Sequence, residues 1–444
     1  MTLMISVSGV RGIVGQTMTP TVAAEMGAAF GSHLAGGKVV LGRDSRASGE
    51  MVQDAVKSGL LATGCDVVEL GIVSTPEVAM MTRELSAAGG IVITASHNPG
   101  QWNGIKFLTA DGCAPPPQTA EQIFTRYHNK DFRFADAQSG GSLERDLSTH
   151  GLHVSKVAAI VDVEAIRRRQ FCVVLDSING AGAAAGRILL EHLGCKGIII
   201  NAEPSGDFFH PPEPTAENLT SLCQAVREHK ADIGMAQDPD ADRLAIVDNT
   251  GRYIGEEYTF ALAAKFRFSQ KPGPVAVNLS TSRMIDDLAA LAGDAAVVHR
   301  TPVGEANVAQ AVREHGCILG GEGNGGVIDP RITPVRDSFV GMALILNLLA
   351  VDWRPLAAIV DEIPRYVMIK QKFDVDRAAI NAWLERVRMS LDGRFNEKDG
   401  LRIDWPEGWV HVRPSNTEPI ARVIAEAKDQ ATAEGLIHRV TELR

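Results

Sequence analysis

The chain has 444 residues, 45% hydrophobic and 22% charged, the make-up of an ordinary globular protein long enough for about three or four domains. With 44 basic and 54 acidic residues it carries a net charge of -10. That excess argues against nucleic acid or an anionic membrane as main partner, and an anionic substrate would need a locally basic site. No apolar run has the length of a bilayer span. The opening Met1-Thr2-Leu3-Met4-Ile5 lacks a basic region and a long apolar segment, so no signal peptide is expected. Cysteines 65, 113, 172, 195, 223 and 317 form no CxxC pair and sit mostly in or beside apolar runs, which suggests buried free thiols and a cytoplasmic location.

Ser8-Gly9-Val10-Arg11-Gly12 comes first. Its glycines allow close backbone packing and can aim Arg11 into a cleft, or the stretch is a plain turn. Helix and strand patterns then alternate: a helix over 20–33, a strand over 39–44, a helix over 49–63, a strand over 66–70 and a helix over 76–85. Gly90-Ile91-Val92-Ile93 reads as a buried strand running into Thr94-Ala95-Ser96-His97-Asn98-Pro99. Ser96 therefore sits on a loop at a strand end, where open α/β sheets place reactive groups. His97 beside it and Lys106 after the turn can supply donors or a base. Lys106-Phe107-Leu108 continues as a strand. Strand and helix in alternation mean a mostly parallel, layered α/β unit. Residues 114–155 are richer in Pro, Gly, Ser and charge, with one helical stretch at 118–128, and the first domain boundary is placed late in them.

The pattern restarts with a strand over 172–176, a helix over 180–193, a strand over 197–200, a proline-rich loop over 204–214 and a helix over 216–229. Between the strands 233–236 and 244–247, Asp238-Pro239-Asp240-Ala241-Asp242-Arg243 places three carboxylates at alternate positions. Close carboxylates repel unless a cation lies between them, and Mg2+ pairs with a few carboxylates plus a phosphate oxygen. An acidic hairpin tip is the plainer alternative. A serine together with such a loop points to phosphoryl transfer, where positioning and charge neutralisation do most of the work.

A third pass has helices over 256–266, 283–291 and 305–315, and strands over 275–279 and 296–299. It leads to Gly320-Gly321-Glu322-Gly323-Asn324-Gly325-Gly326, a loop of little bulk in which Glu322 and Asn324 suit hydroxyl recognition. The last segment differs: strands over 367–373, 401–404, 409–412 and 420–427, a helix through Ile380, Trp383, Leu384, Val387 and Leu391, and a closing helix from 430. Its loop Arg413-Pro414-Ser415-Asn416-Thr417-Glu418-Pro419 offers a guanidinium, hydroxyls, an amide and backbone N–H groups, a phosphate grip.

With these loops in this order, the chain resembles the α-D-phosphohexomutase superfamily over nearly its full length. TASHNP with NGIK after it, DPDADR, GEGNGG and RPSNTEP carry the resemblance. It implies three similar mixed-sheet α/β domains (1–152, 153–250, 251–364) and a C-terminal α+β TATA-binding-protein-like domain (365–444) around one cleft. It further implies a phosphoserine at Ser96, Mg2+ held by Asp238, Asp240 and Asp242 with the Ser96 phosphate, and substrate contact by Arg243. Lys106 and Arg11 would move protons or stabilise charge at the phosphoserine, with His97 in the same shell. Glu322 and Asn324 fall in the sugar loop, and Arg413, Ser415, Asn416 and Thr417 in the loop that holds the non-reacting phosphate. The implied reaction moves phosphate between O6 and O1 of a hexose phosphate through a hexose 1,6-bisphosphate, which also serves as activator. The expected partner is a small hexose phosphate, and the expected state a monomer or homodimer.

Three departures stand out. Ile5-Ser6-Val7 replaces the Phe-Gly-Thr that many relatives carry before Arg11. Glu305 follows Thr301-Pro302-Val303-Gly304, as in phosphoglucosamine mutases, and can attract an amino sugar; Asn324 replaces the Ser of that group. The two clues disagree, and the reading leans to glucosamine phosphate, with phosphomannomutase/phosphoglucomutase activity as the alternative. A metal-dependent sugar phosphatase using Asp238 as nucleophile would leave TASHNP and RPSNTEP unexplained. A non-catalytic phosphosugar-binding regulator would leave unexplained why Ser96, Lys106 and all three aspartates are present.

Overall fold

A computed structural model describes residues 3–7, 9–414 and 420–444. The first unit is a seven-stranded mixed sheet in the order Met4–Ser6, Gly9–Ile13, Trp102–Thr109, Gly89–Ile93, Gly37–Arg43, Cys65–Ile72, Leu143–Arg145. Gly89–Ile93 is buried along its length, parallel to Gly37–Arg43 and antiparallel to Trp102–Thr109. Burial on both faces explains why it reads as an unbroken apolar run. The helix Thr75–Glu84 starts on a capping box, Ser74 with Glu77, and carries Pro76 in its first turn.

Two four-stranded sheets follow. One runs Leu244–Asp248, Ile233–Gln237, Cys172–Asp176, Lys196–Ile200; the other runs Val298–Thr301, Val275–Asn278, Leu319–Glu322, Gly326–Ile328. In each, a buried strand pairs parallel with one neighbour and turns back antiparallel to the next strand. The turn-backs hold residues 238–243 and 323–325, the aspartate loop and the glycine-rich loop. The last unit is a five-stranded antiparallel sheet, Val367–Asp374, Ile420–Ala427, Gly408–Pro414, Leu401–Asp404, Arg394–Asn396, with the helices Arg377–Ser390 and Gln430–Thr441. The architecture is the expected one: mixed α/β units and a C-terminal α+β unit.

The second and third units share one apolar core, with the helix Ser338–Asp352 inside it. Thirteen of its fifteen residues are buried, so it is apolar all round and has no polar face for a periodicity to reveal. The sequence reading passes over it, and also over Thr149–Ala158 and Val163–Arg169. The strand expected over 296–299 is shifted to Val298–Thr301, in register with Val275–Asn278. Arg11 does not lie on a plain turn: Gly9–Ile13 is a strand, with Arg11 opposite Met4 and Gly104. Among the described residues no single helix is long and apolar enough to cross a membrane, and all six cysteines are unbridged.

Candidate active site

The strand Gly89–Ile93 delivers Ser96 in the left-handed region, at φ 50°. A non-glycine residue stays there only when its surroundings hold it. Here they do. The Ser96 amide donates to Thr94 Oγ1 at 2.9 Å, and Thr94 Oγ1 donates to Asp44 Oδ2 at 2.6 Å. Asp44 pairs with Arg46 at 3.0 Å, both side chains fully buried. The Arg46 guanidinium then donates to the carbonyls of Ser96, Asn98, Pro99 and Trp102 at 2.5–3.0 Å and lies 4.9 Å from the Phe208 ring centroid. One buried cation thus gathers four carbonyls of the segment 96–102, the role a fork of five donors suits.

The aspartate loop reaches this serine from the second unit. Ser96 Oγ donates to Asp238 Oδ2 at 3.0 Å. Asp238, Asp240 and Asp242 are fully buried, each offering an oxygen within 4.8 Å of the others'. Lys106 Nζ bonds Asp240 Oδ2 at 2.6 Å and Asp242 Oδ2 at 3.3 Å. Thr75 Oγ1 donates to Asp240 Oδ2 at 2.6 Å. Burial, and then repulsion from Asp242 and Asp240, pushes the Asp238 carboxyl well above the usual range. Asp242 shifts the other way: burial opposes its charge, but Arg336, Lys106 and Arg243 outweigh that. Among the described residues Asp240 Oδ1 and Asp242 Oδ1 are buried with no hydrogen-bond partner. Unbonded carboxylate oxygens beside a strained third acid are a donor set for a hard divalent cation, so the residues fit Mg2+.

Cations also converge on the serine loop, Arg243, Arg11 and Arg336 among them. His97 Nδ1 lies 3.4 Å from Ser96 Oγ. Burial, with Arg243 and Arg11 nearby, pushes His97 down to about 2, so its imidazole is neutral. Arg11 donates to Asn98 Oδ1 at 2.8 Å. Burial would strip the proton from Lys106, but Asp240 and Asp242 hold its pKa above the ordinary value. Lys106 is therefore a fixed cation and hydrogen-bond donor, not a free base.

A cavity of about 480 Å³ joins His97 and Arg243 to Glu322, Asn324 and Arg413. A cleft of about 690 Å³ between the third and last units is larger but contains none of the expected site residues. The smaller cavity reaches His97 and Arg243, the chain neighbours of the serine and of Asp242. Glu322 accepts from Asn278 at 2.9 Å, and Asn324 Nδ2 donates to Glu322 Oε2 at 3.3 Å. Arg413 pairs with Asp399 at 3.1 Å. Ser415, Asn416 and Thr417 lie outside the described residues.

Arg336 was missed by sequence reasoning. It binds Asp242 at 2.6 Å, Glu322 at 2.8 Å and Glu305 at 2.9 Å, tying the aspartate loop to the glycine-rich loop. Glu305 is thus engaged by a guanidinium and is not a free acceptor for an amino sugar. Asp44 and Arg46 were equally unmarked; an Asp and an Arg at a strand end were the only signal.

Family models for phosphoglucomutase/phosphomannomutase match in series: α/β/α domain I over residues 3–134, domain II over 152–251, domain III over 255–366 and the C-terminal domain over 367–443. A phosphoglucomutase/phosphomannomutase of Thermococcus kodakarensis is 40% identical over 434 residues, 96% of this chain and 94% of that protein. A probable phosphoglucosamine mutase of Methanopyrus kandleri is 37% identical over 434 residues, 97% of this chain and 95% of that protein. The crystal structure of a phosphoglucomutase/phosphomannomutase family protein from Burkholderia thailandensis superposes with a TM-score of 0.88 at 27% identity, covering 99% of this chain and 97% of that one. By sequence along its whole length and by fold, this chain belongs to the phosphoglucomutase/phosphomannomutase family.

Proposed function

We propose that this enzyme is a phosphohexomutase that moves phosphate between O6 and O1 of glucosamine phosphate through a phosphoserine at Ser96 and a sugar bisphosphate. The carrying observation is the Ser96 hydroxyl 3.0 Å from Asp238, inside a buried set of three aspartates and one lysine. Asp238, Asp240 and Asp242 are the residues to hold Mg2+, which when bound neutralises charge on phosphate oxygens. The phosphoryl group passes from Ser96 Oγ to the free hydroxyl of a hexose monophosphate, forming one P–O bond as the other breaks. The proton of that hydroxyl ends on Ser96 Oγ as the serine is released, with His97 beside Oγ as a hydrogen-bond partner and Lys106 and Arg11 stabilising the transferring charge. The bisphosphate reorients in the cavity, and its other phosphoryl group returns to Ser96. Throughout, Arg413 is the described residue to grip the phosphate distant from the serine, and water must be kept from the phosphoserine.

Glucosamine phosphate is favoured by the names of relatives at 37% and 36% identity; the relative at 40% favours glucose and mannose phosphates as the second reading. Turnover of the three sugar phosphates side by side, with Mg2+ and a trace of each bisphosphate, separates them. Finding covalent phosphate on Asp238 and never on Ser96 would support a phosphatase instead. We take the enzyme to work in the cytoplasm as a monomer or homodimer, which sedimentation of the purified protein checks.

A further inference from the structure

Four carboxyls line the cavity: Glu213, Glu256, Glu257 and Glu322. Glu213 is exposed on its loop. Glu256 faces Lys370 at 3.6 Å, and Glu322 is bound by Arg336 and Asn278. Glu257 differs from all three. It opens the helix Glu257–Gln270, and among the described residues its one hydrogen-bond partner is the Ser282 amide, 3.0 Å from Oε2. No Lys, Arg or His among those residues forms an ion pair with it. Its Oε1 packs on the glycine-rich loop: a Cβ added at Gly323 would lie 1.9 Å from that oxygen. Only glycine leaves room for the carboxyl there. Burial, with Glu426 and Glu256 nearby and only partly offset by the Ser282 amide and by Lys370, pushes Glu257 up to about 8.

We propose that Glu257 is the specificity-determining residue of this cavity and receives the ammonium group of an amino-hexose phosphate. The inference rests on the phosphohexomutase reading above. A desolvated carboxyl with an oxygen that accepts no hydrogen bond from the described residues ionises against an ammonium and gains a charge-assisted hydrogen bond, whereas a hydroxyl at the same place gives it no cation to ionise against. Cations such as Lys370 and Lys372 also line the cavity, but Lys370 pairs with Glu256 and none of the described cations forms an ion pair with Glu257, so the preference arises from the acid's missing partner as much as from the acid itself.

The test is the ratio of kcat/KM for glucosamine 6-phosphate to that for glucose 6-phosphate, measured for the wild type, Glu257→Gln, Glu257→Asp and Gly323→Ala. The wild type is expected to prefer glucosamine phosphate, and Glu257→Gln to lower the ratio by about tenfold or more. Glu257→Asp keeps part of the preference. Gly323→Ala, which pushes the carboxyl aside without deleting it, shifts the ratio the same way and serves if Glu257→Gln does not fold. A ratio unchanged within about twofold in both Glu257→Gln and Gly323→Ala, with the wild type still preferring glucosamine phosphate, overturns the role of Glu257 and leaves the proposed substrate standing. A wild type that prefers glucose phosphate overturns the substrate and this inference together.

Discussion

Ser96 and Asp238 stand 142 positions apart in the chain, yet the serine hydroxyl donates to Asp238 Oδ2 at 3.0 Å. The serine comes from the first sheet and the acid from the second, so the reacting group exists only when two units dock. Ser96→Ala removes the phosphate carrier and leaves the packing almost unchanged. Turnover should fall by roughly 10³-fold or more with an unaltered thermal midpoint. Phosphopeptide mass spectrometry after incubation with a sugar bisphosphate should find label on Ser96 of the wild type only. A variant that turns over normally ends the assignment.

Three buried carboxylates with two unbonded oxygens predict a protein stabilised by a divalent cation. Chelation should abolish turnover and Mg2+ should restore it. Because the ion binds the folded chain, stability should rise by about 2.7 kcal/mol at a free-ion concentration about 100 times its Kd. Asp240→Asn should weaken both responses. A thermal midpoint that does not move during an Mg2+ titration would count against the site.

Arg46 touches the serine loop through four carbonyls but no reacting atom, so it is a positioning residue. Arg46→Lys keeps the charge but loses the planar fork. A displacement of Ser96 of order 1 Å should lower kcat by roughly 10²-fold, with KM changed little. A lower thermal midpoint with unchanged kcat would show that Arg46 holds the fold and not the geometry of the serine.

A buried histidine and a partly buried one join the units. His153 bonds Asp337 at 2.7 Å and packs edge-on to Phe339; His150 bonds Glu77 at 2.6 Å. Burial disfavours both imidazolium forms, but the Asp337 and Glu77 carboxylates outweigh it and hold the histidines above their ordinary value of 6.5. A raised folded value means stability that is complete below pH 6.5 and lost as pH rises through the folded pKa. Glu77 lies below its ordinary 4.5, because His150 and His153 overcome the burial; it contributes above that pH and is lost as pH falls through its folded value. The thermal midpoint should therefore decline as pH rises above about 6.5, and His150→Gln should flatten the decline. His153→Ala leaves Asp337 buried without its partner and should cost about 3–5 kcal/mol in denaturant unfolding.

Much of this was legible in the chain. Ser96, the three aspartates and Asn324 lie on short loops and Glu322 at a strand end beside one, and such loops announce themselves because strand, turn chemistry and reactive residue fall within about ten neighbouring positions. The alternation of strand and helix likewise settled the α/β class. Helix Ser338–Asp352 escaped because a segment buried on every side has no polar face to mark its period.

What only the tertiary structure decided is which groups meet. Arg46 finds its carbonyls 50 to 56 positions away, Thr75 finds Asp240 at a separation of 165, and Arg336 finds Asp242 at 94. Glu305 looked free beside its neighbours in sequence and proved bound to Arg336, while Glu257, unmarked in sequence, proved to form no ion pair among the described residues. Local propensity and periodicity report a residue's own backbone and burial. The charge state and partners of a buried group depend on the low-dielectric space that distant segments enclose, and that space comes into being only when the units pack.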